Sequence, residues 1–170
     1  MNKNLKYYFF PVALILILSF SRVIPHPSNF TPVLAIGIFS GFYFRQLYLS
    51  LFIVIFAMFL GDLYLGFHNT MLFTYISLVI AVISGLFIKK FKVSEILYTG
   101  LASSAAFFII TNFGAWLTLE MYEKNFVGLL NSYTLAIPFF HNTLISTFIY
   151  LFMFKILFEV FMSKKFEKYV

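Results

Sequence analysis

Apolar residues fill long unbroken stretches of this chain, and polar residues appear mainly as short punctuation between them. Divided at those marks, the sequence predicts helices over about 7–24, 32–44, 47–66, 71–88, 95–118 and 138–162. Each stretch is apolar on every side instead of along one stripe, which suits a helix whose solvent is lipid. The second is short against the roughly 20 residues that a bilayer crossing needs. Only Arg45-Gln46 parts it from the third, so a tilted or part-buried helix is expected there. Pro32, preceded by Asn29 and Thr31 as candidate caps, suits a first helical turn. The stretch from 126 to 137 is dotted with Asn131, Ser132 and Thr134 and runs into Pro138. It reads as an interfacial or re-entrant segment, which survives at membrane depth only under a cover of protein or water. The expected fold class is all-α: a polytopic transmembrane helix bundle of about six spans, forming a single domain over residues 1–170.

Composition agrees with that reading, since 62% of the 170 residues are apolar and only 11% are charged, outside the range of soluble domains. The first apolar run lacks a small-residue cleavage site, so it is expected to be kept as a span. Cysteine is absent, which excludes disulfides, iron–sulfur clusters and thiolate metal sites. With six spans and a cytoplasmic N-terminus, Lys3, Lys6, Arg45, Lys89, Lys90, Lys92, Lys155, Lys164, Lys165 and Lys168 fall inside and only Arg22 and Lys124 outside. Short basic loops stay cytoplasmic, so both termini are expected there, in a bacterial inner (plasma) membrane. The net charge of +6 then reflects topology and attraction to anionic lipid, not nucleic acid.

The same topology gathers at the outer end the polar residues that a membrane protein would otherwise avoid. Arg22, His26, Asn29, Asp62, His68, Asn112, Trp116, His141 and Asn142 are the candidate substrate-binding residues. Asp62 lies within an apolar segment, where an acid is costly unless it faces a partner or water. Arg22, at the matching end of the first span, is the obvious counter-ion. Two readings stay open: a buried ion pair that fixes helix register, or a pair bordering an outward-facing cavity that orients a polar ligand. His26, His68 and His141 are candidate metal ligands, because neutral imidazole suits zinc, nickel or cobalt. No pair of them has the close spacing of a metal motif, and loop histidines are commonly just wetted. Trp116, Tyr122 and Tyr133 are the aromatic residues expected at a membrane interface. Gly37 with Gly41, Ala81 with Gly85, and the run Ala102 to Ala106 let backbones approach, chiefly inside the bundle. There is no phosphate-binding loop, His-Glu-x-x-His motif or nucleophile elbow, so neither an enzyme nor a resident cofactor is expected.

Four blocks carry a resemblance: Arg22 to Pro32, Gly61 to His68, Thr111 to Trp116, and Ile137 to Thr143. Together they resemble a bacterial family of small integral membrane proteins labelled as a domain of unknown function with a transport role. Size and topology also resemble the vitamin-binding S-components of energy-coupling-factor transporters. The resemblance implies uptake of a small polar solute, of vitamin, cobamide or metal type, from the outer face. Its partners would be the lipid bilayer, the solute and an energising membrane subunit or ion gradient. The alternative is a non-catalytic structural subunit of a cell-envelope membrane complex.

Overall fold

The computed structural model describes residues 3–166, and side chains from 13 to 159. Seven helices follow in order: α1 (Lys3–Val23), α2 (Val33–Phe44), α3 (Leu47–Leu65), α4 (Met71–Phe87), α5 (Val93–Thr118), α6 (Phe126–Thr134) and α7 (Ile137–Phe166). No strand occurs among the described residues. The expected segments sit on these helices within a few residues at most ends, and the 126–137 stretch is the short helix α6. Three helical stretches, Leu47–Leu65, Val93–Thr118 and Ile137–Glu159, are long and apolar enough to cross a membrane.

The short second segment is the centre of the molecule. Eleven of the 12 residues of α2 are buried, all but Tyr43. At about 1.5 Å per residue it is roughly 18 Å long, well short of a hydrocarbon core of about 30 Å. It is therefore enclosed by protein, with α3, α4, α5 and α7 packed around it and α1 on the outside of α3. The closest approach is between α2 and α4, where glycines face backbone. A Cβ on Gly85 would stand 2.0 Å from the Ile38 carbonyl oxygen, and one on Gly41 would stand 2.2 Å from that of Val82. The glycine hydrogens take that space, in the geometry of weak Cα–H···O contacts. Gly41 and Gly85 thus serve the interior of the bundle, the use expected of these small-residue pairs.

Each sharp turn has a local cause. Arg45 closes α2 in the left-handed region (φ 55°), which costs a non-glycine residue about 1–2 kcal/mol. Its guanidinium offsets that cost by donating to Leu86 O (3.0 Å) and Lys89 O (3.2 Å), carbonyls at the end of α4, while lying over the Phe42 ring. Glu95, in the first turn of α5, accepts from the backbone N–H groups of Lys89, Lys90 and Lys92. This end also holds Lys155, which donates to Phe91 O. Beneath it Phe39, Phe42, Phe91, Phe154 and Phe158 form a dense aromatic cluster, with Phe42 stacked on Phe91 and Phe39 on Phe154. Large apolar side chains such as Phe52, Phe56, Ile109, Ile145 and Ile149 cover the outside. That is the reverse of a soluble surface.

Candidate functional site

The opposite end of the bundle is built around Asp62, which is wholly buried near the end of α3. Its Oδ1 lies 2.6 Å from Arg22 Nη2, and its Oδ2 accepts the Tyr75 hydroxyl proton at 2.7 Å. Among the described residues no N–H or O–H is aligned as a hydrogen bond to Oδ1, so this oxygen is held there by the charge of Arg22. Arg22 ends α1 and also donates from Nη1 to Met58 O at 2.7 Å. Gly61 makes this possible, because a Cβ there would fall 2.5 Å from Arg22 Nη1. Gly61→Ala should push the guanidinium aside and cost about 1–3 kcal/mol by overpacking. A thermal melt of the variant, unchanged from wild type, would show that the guanidinium does not need this space.

In front of Arg22 opens a cavity of about 360 Å³. Arg22, His26, Asn29, Thr31, His68, Thr70, Thr74 and Thr111 give it polar walls, and Val33, Met58, Leu65 and Phe107 the rest. A side space of about 30 Å³ reaches between α2 and α7 to Thr143, Ser146 and Thr147. The His26 Nδ1 is 2.6 Å from Ile24 O. A carbonyl only accepts, so that nitrogen carries the hydrogen and Nε2 of the neutral ring keeps its lone pair. His68 Nδ1 contacts Thr70 Oγ1 at 2.9 Å. Thr74 and Thr111 donate to carbonyls one turn back, Thr70 O and Phe107 O. The loop over the cavity is pinned to α7: Asn142 donates to Ser28 O, Ser146 to Asn29 O, and Asn29 itself sits at φ 62°, a conformation asparagine tolerates.

Of the residues singled out from the sequence, Arg22, His26, Asn29 and His68 line the cavity, and Asp62 lies directly behind Arg22. Asn142 takes part through the loop it holds. Asn112 donates to Phe108 O within its own helix and does not line the cavity. Trp116 donates to Glu123 O, and Lys124 caps the end of α5 by donating to Leu119 O, so both brace the turn into α6. Tyr133 reaches back to Ile109 O, and burial raises its hydroxyl pKa. His141 is exposed on α7. Among the described residues no group of three or more His, Cys, Asp or Glu side chains could hold a metal ion, so the three histidines do not converge. Sequence reasoning missed Tyr75, Gly61 and the threonines. Tyr75 carried a usable signal, a phenol within an apolar run in the helix that follows Asp62.

The sequence matches the profile of a family of unknown function, DUF6580, over residues 2–169. The chain belongs to this family. No curated protein and no solved structure matches it. DUF6580 membership covers the cavity and the Arg22–Asp62–Tyr75 cluster alike, and the family brings no activity with it.

Proposed function

We propose that this DUF6580 protein is a six-span bundle of the bacterial inner membrane, both termini cytoplasmic, that captures a small polar solute at its outer face for uptake. One observation carries the reading: Arg22, paired with the buried Asp62 behind it, stands in the wall of a polar cavity at one end of an otherwise apolar bundle. Intramembrane charges that border a cavity commonly mark substrate pathways. Charge supports an orientation. Among the described residues Arg45, Lys89, Lys90, Lys92 and Lys155 lie at the aromatic end and only Arg22 and Lys124 at the cavity end, which favours a cavity facing outside. A helix shorter than the bilayer fits this arrangement, because the cavity occupies the depth that α2 does not fill.

Cavity size narrows the solute. A volume of about 360 Å³ suits a small metabolite. Without a converging set of ligands, a bare metal ion is a poor occupant. The chain has no nucleotide-binding loop, so energy for uptake would come from an ion gradient or a second subunit.

Asp62→Asn should abolish uptake while the protein remains folded in the membrane, measured as accumulation of labelled solute in cells beside a melt of the purified variant. Unchanged uptake would remove the pair from the pathway. The structural-subunit reading has one observation in its favour, since Asp62 and Arg22 are both engaged inside the protein, by each other's charge and by Tyr75 and Met58 O. It predicts a stably co-purifying protein and no solute binding at all.

A further inference from the structure

We propose that the solute is an anion, with a carboxylate, phosphate or sulfate group that seats against Arg22; this rests on the capture reading above. Among the residues lining the cavity, Arg22 carries the only fixed charge. The remaining walls are hydroxyls, imidazoles, one amide and apolar groups. The balancing charge, Asp62, is wholly buried behind the guanidinium and closed off by Tyr75. The pair is therefore neutral as a unit but polarised, with its positive end toward the cavity. Low-dielectric walls screen that field weakly and focus it into the opening. A cationic solute would meet the guanidinium first and be repelled.

The guanidinium is also prepared for an acceptor. Met58 O holds Nη1, Asp62 faces Nη2, and the missing side chain of Gly61 leaves room for the fork against α3. Among the described residues its other N–H groups have no acceptor, which leaves them for a ligand oxygen, in the charge-assisted bonds that make arginine the usual partner of planar anions. The start of α2 adds to the same preference through Val33, which lines the cavity. No side chain caps this helix, and its first backbone bond runs from Ile36 N–H to Pro32 O. The amides of Val33, Leu34 and Ala35, residues 8%, 3% and 0% exposed, therefore find no acceptor among the described residues. A buried helix start without acceptors favours negative charge beside it.

Phosphate chemistry can reach this site as a free solute or as a lipid headgroup, and the two are separable. Thermal shift and calorimetry on the full chain in mild detergent would use inorganic phosphate, sulfate, acetate and succinate. Acetamide, succinamide and ethylamine serve as neutral and cationic counterparts. A second arm places the protein in nanodiscs of phosphatidylcholine with and without phosphatidylglycerol. The expected result is stabilisation by at least one soluble anion, binding at least tenfold tighter than its neutral counterpart, and at least a tenfold loss in the charge-balanced variant Arg22→Gln/Asp62→Asn. If that variant does not fold, Gly61→Ala displaces the guanidinium without changing charge and should lower the same affinity. Preference for neutral or cationic probes overturns the anion assignment and leaves solute capture standing. Anion binding that ignores both variants overturns the seat at Arg22. Stabilisation by phosphatidylglycerol alone, lost with Arg22, upholds the anionic chemistry but makes lipid its source and removes solute capture. Inertness to every probe overturns both readings.

Discussion

Gly85→Ala and Gly41→Ala will each destabilise the bundle by about 3 kcal/mol or more, at or beyond the upper end of ordinary overpacking, whereas Gly37→Ala will cost well under half as much. The difference lies in what each new methyl group would meet. At Gly85 and Gly41 it meets main-chain oxygen, 2.0 Å from Ile38 O and 2.2 Å from Val82 O, and a helix backbone has no rotamer with which to yield. At Gly37 it meets the side chain of Ala81 at 3.2 Å, which a shift of a few tenths of an ångström relieves. Because α2 is the core of the molecule, separating it from α4 opens voids on every side of it. Denaturant unfolding of the purified protein in micelles, followed by circular dichroism, gives the three values. Equal costs at all three positions would mean that the close approach of α2 and α4 is not what holds the centre together.

The Arg22–Asp62 pair should respond unequally to loss of either member. Arg22→Gln is expected to cost about 3–5 kcal/mol, the usual penalty for stranding one charge of a buried pair. Asp62→Asn should cost less, because Arg22 is 13% exposed at the cavity wall and can be hydrated there, while Asp62 has no route to water. The double variant removes both charges together and should lie closer to wild type than Arg22→Gln does, since replacing a buried pair is often nearly neutral. Four melts under one condition complete this cycle. A double variant no more stable than Arg22→Gln would show that Asp62 is held by Tyr75 and packing, not by its ion pair.

The helices could be read from the sequence because, in a chain this apolar, the polar punctuation is the main local signal and marks the turns. Arg45-Gln46 and the Lys89–Lys92 cluster fall between helices, and Pro32 stands just before α2. The facing pairs Gly37–Gly41 and Ala81–Gly85 were equally visible, since the four-residue spacing of small side chains is itself the contact surface. The central place of α2 was not visible. Enclosure by protein and enclosure by lipid select the same apolar residues, so only the shortness of the segment hinted at it. The site was legible where charge gave it away, at Arg22 and Asp62. Tyr75 and the threonines at 31, 70, 74 and 111 were hidden because hydroxyls scatter along apolar helices and usually bond their own backbone, as Thr74 and Thr111 do here. Asn112 misled for that reason: its amide donates to Phe108 O.

The glycine contact between α2 and α4 also divides the molecule into parts that can move and parts that cannot. Two helices in main-chain contact resist sliding or rolling, because each carbonyl stands in the path of the other backbone. The cavity therefore has one stationary side. Another side, α1 and the loop after it, is attached by side chains that can let go: Arg22 to Met58 O and Asp62, Ser19 to Ala57 O, and Asn142 to Ser28 O. Any opening or closing of the space around Arg22 has to be carried by walls other than the α2–α4 pair, which is their fixed frame.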